Sequence, residues 1–565
     1  MTRSILLRLA LPLGLAAVAT AQSTLVVDAM SQELARNFQA LKDKASPPPY
    51  FISYEVTQED VRTVSGTLGA IDSNGGGKSR LLDVSVRVGS PKLDNYHRVR
   101  GAGGGAPRFT SEAQITYEDN ANSIKQRLWE DTDRAYRAAA ERLIRIETNT
   151  QVKVAEQDSS ADFSSAPPQV SLAAPATLKF DVEEWTGRIR KLSARFQNYP
   201  SVLTSRVTVT GQAETRYLVN TEGTRLEFGR GYARIFISAS AKAADGTDVA
   251  DFDSFEAEDA GDLPDDKTVL AAIDHVAQNV TALLSAPEAE PFVGPAILSG
   301  RAAGVFFHEI FGHRVEGHRQ KDEAEGQTFT KSVGTEVLPD FLSVIFDPTR
   351  HSMAGEDLYG WYDYDDEGVK ARPVTVVENG VLKTFLMSRS PIAGFSQSNG
   401  HGRRQPGYEV VSRQSNLIVE SAKVVSDARL REMLIEEIKR QNKPYGLYFR
   451  DITNGFTTTS RAGLQAFKVI PVIVYKVYAD GRPDELVRGV DIVGTPLASF
   501  AKILATGDKP EVFNGYCGAE SGSIPVSAVS PAILVSEIEI EKKAKANDRP
   551  PLLPEPASSE KGGGL

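Results

Sequence analysis

The segment GVFFHEIFGHRVEGHRQKDE, residues 304–323, holds three histidines five residues apart, His308, His313 and His318. Glu309 directly follows the first of them. Histidines and a glutamate at close spacing are the raw material of a hydrolytic metal site. In the H-E-x-x-H helices of zinc peptidases the two histidines lie four apart and share a face. Here the spacing is one residue longer. On a regular α-helix, turning about 100° per residue, His308 and His313 would stand about 140° apart and could not hold one ion. Metal binding therefore requires a helix that is locally wide or that ends between them, and Gly312 sits where such a break would fall. Glu309, beside a ligand, is placed to act as general base towards water that a metal has acidified.

Two histidines leave a third ligand to find. His318 lies ten residues after His308, the outer offset of H-E-x-x-H-x-x-G-x-x-H proteins. Cys517, the single cysteine, stands in the glycine-flanked stretch NGYCGAESGSIPV, and two histidines with one cysteine are an established catalytic zinc set. Spacing alone does not choose between them.

Elsewhere the chain must supply the frame. At 565 residues it has room for two or three cored domains. A net charge of −10 gives no basic face for nucleic acid. Residues 1–21 read as a signal peptide, with Arg3 and Arg8, an apolar run from Leu9 to Val18 and Ala19-Thr20-Ala21. That run is too short to span a bilayer, which takes about 20 residues. No cysteine follows the cut to carry a lipid, and no stable membrane anchor is expected. The reading is an exported protein, periplasmic or extracellular, without an internal disulfide.

The patterning predicts an α+β fold, with a mixed α/β N-terminal region over 22–290 and a β-rich C-terminal catalytic domain over 291–543. Helices are expected at 25–45, 121–148, 182–197, 266–284, 426–441 and 496–505. The stretches GAIDSNGGGKS and GAGGGAP read as glycine-rich loops, 158–177 as a flexible excursion and 544–565 as a disordered tail. Asp365, Asp366 and Glu367 form an acidic turn that could instead hold a second metal, while His351 and His401 have no ligand-like spacing.

Beyond HEIFGH, three further segments, in order and spacing, resemble the TldD/PmbA family of metallopeptidases: YDYDDEGVKARPVTVVENGVLKTFLM, NGHGRRQPGYEVVSRQSN and FNGYCGAESGSIPVSAVSPAILV. The resemblance covers about residues 200–540. It implies Zn2+ held by His308, His313 and Cys517, with Glu309 as the base. His318 becomes a neighbour that supports the site; Arg403 and Arg404, read from their chemistry, are candidates either for substrate contacts or for ion pairs that fix their loop. It also implies a peptide or unfolded-protein substrate drawn into an enclosed cleft as an extended strand. A homodimer, or a heterodimer with a relative lacking the motif, follows from the same likeness. The rival expectation is a non-catalytic peptide-binding or structural component, its zinc closed by His318 as a fourth ligand.

Overall fold

In the computed structural model, residues 25–98, 113–150, 158–461, 467–494, 499–543 and 551 are described. Residues 1–21, the GAGGGAP stretch and nearly all of 544–565 lie outside them. The architecture is α+β, built on two large sheets.

The first sheet is an antiparallel run of long strands, Ala70–Ser90, Pro49–Thr67, Thr204–Asn220, Arg225–Lys242 and Asp248–Ala257, with shorter strands at its margins. Helices Leu25–Lys44 and Ala121–Thr150 cover one part of it around Val26, Met30, Ile124, Leu128 and Tyr54. Helices Val182–Ser193 and Asp266–Ser285 cover another around Trp185, Ile189, Ile273 and Val276. Asp181 caps the first of this pair by accepting from the Glu183 and Glu184 N–H groups, and Asp265 caps the second through Thr268.

The second sheet joins strands Phe292–Leu298, Gly446–Thr457, Phe467–Val477, Val490–Gly494, Asn416–Ser421 and Leu342–Phe346 with a terminal hairpin, Ile503–Ala519 and Gly522–Lys542. Its core is dominated by Phe306, Phe307, Phe311, Phe346 and Phe449, all essentially inaccessible to solvent. Each such ring contributes about 1.5–3 kcal/mol on burial.

Three expectations need correction. Residues 70–79, read as a glycine-rich loop, are strand: Gly75 to Gly77 pair in register with Thr63 to Val61. The long partner strand supplies a continuous ladder, and it overrides the weak strand preference of glycine. Residues 158–177 are pinned rather than loose. Phe163 is buried against Phe51, with ring centroids 4.8 Å apart, and under the Arg389 guanidinium. The Ser164 N–H donates to the Arg389 carbonyl at 2.8 Å, and Arg389 returns a bond to the Ser164 carbonyl. A Ser/Ala/Pro composition hid one aromatic anchor. Of the helix expected at 496–505, residues 496–498 lie outside the described residues, 499–500 are helical, and strand begins at Ile503.

The two halves are fastened by buried charge. Arg404 of the C-terminal half is 4% exposed and reaches Glu55 of the first sheet at 2.7 Å and Asp83 at 3.5 Å. Arg216 of the first sheet bonds Asp366 in return. Removing one member of such a cluster leaves unpaired charge in the interior. Arg404→Ala is therefore expected to cost about 3–5 kcal/mol in denaturant-induced unfolding; a loss below about 1 kcal/mol would show that the cluster is solvated in solution.

Candidate metal centre

Helix Gly300–Ile310 carries His308 and Glu309. Ser299 caps it, its hydroxyl accepting from the Ala302 N–H at 3.1 Å. The helix is apolar nearly all round, as expected for one enclosed between sheet and core. It stops at Ile310, and a 3₁₀ turn, Gly312–Val315, carries His313. The Arg314 guanidinium folds back to donate to the carbonyls of Glu309 and Ile310, at 3.2 and 3.0 Å, satisfying groups that a helix end leaves open. A Cβ at Gly312 would collide with the Gln414 carboxamide, so the break also brings the chain hard against its neighbour.

The break resolves the spacing problem. The two imidazole rings meet edge to face, 5.1 Å between centroids. Cys517, near the end of the terminal hairpin, comes between them: its Sγ is 3.2 Å from His308 Nε2 and 3.3 Å from His313 Nε2. These three donor atoms lie within 4.8 Å of one another and all three residues are buried. The thiol is held well below its ordinary pKa; burial acts to raise it, but His313, His308 and Arg413 outweigh burial. Cys517 is therefore poised as the thiolate that a metal requires. Nitrogen and sulfur donors in this number suit zinc.

Residues behind the donors fix their geometry. His313 Nδ1 lies 3.1 Å from the Glu316 carboxylate, which leaves Nε2 free as the metal-facing atom. Glu316 is fully buried, and its pKa falls to about 2: burial opposes the shift, but His313 and Arg319 overcome it. Arg413, also fully buried, donates to the Cys517 carbonyl at 2.7 Å and lies 3.4 Å from Glu316. Sequence reasoning assigned neither Glu316 nor Arg413 a role. The H-x-x-E spacing after His313 was the available signal for the first, and Arg413 stands in a quoted segment with nothing local to mark it.

His318 does not join the donors. Its Nε2 bonds the Glu520 carboxylate, and Glu520 also takes Arg319 Nη2 at 2.8 Å, so His318 supports the cluster at one remove. Of the two roles open to Arg403 and Arg404, the structure shows bonds within the protein. Arg403 donates to the carbonyls of Gln414 and Pro525, and Arg404 holds Glu55. Asp365 caps its own turn, accepting from the Glu367 and Val369 N–H groups. His401 is buried against Ser415 and kept neutral by burial, and His351 pairs with Glu258.

The donors and Glu309 open on a cleft of about 950 Å3 between the two sheets. One wall carries Arg234, Phe236 and Phe252 from the first sheet, and the other carries residues 453–457 and the terminal hairpin. Strand residues 454–457 pair with 467–470 on one side only; among the described residues no strand covers the other side. A Cβ at Gly455 would come within 2.6 Å of Glu309 Cγ, so a glycine here gives the carboxylate its space.

Fold and site together define an α+β protein with a buried His-His-Cys metal-binding geometry beside a glutamate. Residues 293–542 match the PmbA/TldA metallopeptidase C-terminal domain. The chain is 28% identical over 233 residues to a metalloprotease of Methanocaldococcus jannaschii, covering 41% of this chain and 47% of that one. It is 27% identical over 258 residues to a zinc metalloprotease TldD homolog of Saccharolobus solfataricus, covering 45% and 53%. The chain thus spans about half the length of these curated relatives. Over the whole fold it resembles TldE of Thermococcus kodakarensis, with a TM-score of 0.62, 14% identity, and 91% of this chain and 100% of that one covered. The family likeness thus lies in the C-terminal half, over residues 293–542, and the solved structure shares the fold.

Zinc retained after dialysis is expected to fall about 100-fold or more in affinity in Cys517→Ala and His313→Ala. Glu316→Gln should cost about 10–100-fold, the usual effect of removing a ligand's hydrogen-bond partner. His318→Ala should keep its full complement; an empty site in that variant alone would put the ligand set elsewhere.

Proposed function

We propose that the protein is an exported zinc metallopeptidase that hydrolyses peptides or unfolded protein segments. One observation carries the reading: His308, His313 and Cys517 converge beside Glu309 at the edge of a cleft that can enclose a polypeptide. Zinc there would supply a Lewis acid for the scissile carbonyl and would acidify water near neutral pH. The chain does the rest. Glu309 takes a proton from the attacking water on a carboxylate oxygen and returns it to the departing amide nitrogen. The open side of residues 454–457 can pair with an extended substrate through main-chain hydrogen bonds, an arrangement tolerant of sequence. Glu316 and Arg413 hold the donors in place throughout.

Three protein donors leave a position open for substrate, as a catalytic site requires, whereas a structural zinc is closed by four. His318, which the structural reading would need as the fourth, is engaged by Glu520. Export rests on the N-terminal signal pattern, and no helix among the described residues is long and apolar enough to cross a membrane. The partner we propose, on the family resemblance, is a second copy or a relative that lacks the motif.

Cleavage of casein by the purified chain is expected to fall by about 10²–10⁴-fold in Glu309→Gln, the range for a lost general base, with bound zinc unchanged. Equal cleavage by both would remove Glu309 from the chemistry.

A further inference from the structure

Tyr516, one residue before Cys517, lines the metal cleft on one side and a second cavity, of about 240 Å3, on the other. That volume is below the roughly 300 Å3 at which small-molecule sites begin, and it suits a single side chain. Tyr232 and Tyr359 stack in its wall, with centroids 3.7 Å apart. Tyr516 meets Tyr359 edge to face at 5.1 Å, their hydroxyls bonded, and Trp361, stacked on His351, is a further lining residue. Aromatic faces of this kind attract cations.

The charges in the cavity point the same way. Its arginines are already tied to protein acceptors: Arg216 to Glu214 and Asp366, Arg230 to Glu214, Arg404 to Glu55, and Arg403 to two carbonyls. Two carboxylates are not matched in this way. Glu59 accepts from Gln212 at 3.2 Å, and Asp363 stands exposed; neither has a cationic partner within 4 Å among the described residues. Burial and the neighbouring Glu214 raise the pKa of Glu59, and the more distant pull of Arg216 and Arg230 does not cancel them.

We propose that the cavity beyond Tyr516 is a specificity subsite that takes one lysine or arginine side chain of the substrate. It rests on the peptidase reading for its access from the cleft. Tyr516 lines both cavities and directly precedes Cys517, so on that reading the residue recognised would lie close to the scissile bond.

Binding, not turnover, tests it. Full-length protein carrying Glu309→Gln would be titrated calorimetrically with neutral Ala/Ser decapeptides in which one Lys is walked along the sequence, with Arg, Tyr and Glu counterparts. At one position Lys or Arg should bind about 10-fold tighter than Glu and about 3-fold tighter than Tyr. Adding Glu59→Gln and Asp363→Asn together should shrink that preference below 2-fold. Asp363→Asn alone, at an exposed position, should remove about half of it on a logarithmic scale, and serves if the double variant does not fold. Equal affinity at every position, no binding, a preference for Tyr or Glu, or a Lys preference that survives the pocket variants would each overturn the proposal. Because cleavage is not read, a peptide-selective protein that hydrolyses nothing would refute the proposed function while leaving the subsite standing.

Discussion

Everything at the metal centre depends on where one helix stops. If Gly300–Ile310 ran on regularly, His308 and His313 would face directions about 140° apart. The turn at Gly312 brings the rings to 5.1 Å and creates a place for a third donor from the far end of the chain. A helix end in a dry interior exposes carbonyls that need partners. Here Arg314 supplies them, and the phenylalanines around the helix prevent it from shifting to find others. Gly312 gives room for Gln414, and Gly455 gives room for Glu309, so the break and the base are accommodated by missing side chains on two elements.

Behind the donors runs a chain of opposite charges with little access to solvent. Cys517 touches both histidines; His313 leans on Glu316; Glu316 takes Arg319 and Arg413; Arg319 takes Glu520; and Glu520 takes His318. Buried charges are costly unless each has its partner. Arg319 bridges the two glutamates and Arg413 reaches both Glu316 and the Cys517 carbonyl, which lets the sulfur and the two carboxylates sit in a nearly closed space. The network also makes the site rigid before any ligand arrives. A donor set held by such a network reorganises little on binding, the condition under which electrostatic stabilisation is most effective.

Much of the fold was legible. The helix expected at 121–148 is Ala121–Thr150, where apolar residues recur at helical spacing, and that at 266–284 is Asp266–Ser285, capped by Asp265. What failed was composition used against topology. Glycines 75–77 looked like a loop until a 19-residue partner strand was laid beside them, and the 158–177 segment looked loose because Phe163 finds its partners, Phe51 and Arg389, only in the folded state. At the site, spacing pointed to a helix break but left His318 and Cys517 as equals, and the family resemblance alone favoured Cys517. The distinction is tertiary: His318 is captured by Glu520, 202 residues away, while the hairpin delivers Cys517 across 209 residues to His308. Arg403 and Arg404 stayed open between substrate and structure for a similar reason, since paired arginines in a loop signal charge but not whether a Glu55 lies 349 residues upstream to take it.

The most direct test of the account is zinc-edge X-ray absorption on the purified chain loaded with one equivalent of zinc. Two imidazole nitrogens at about 2.0–2.1 Å and one sulfur at about 2.3 Å, with a light atom in the remaining position, are the result expected for His308, His313 and Cys517. A first shell of nitrogen and oxygen without sulfur would contradict it, because the thiolate on which the whole charged network converges would then not be holding the metal.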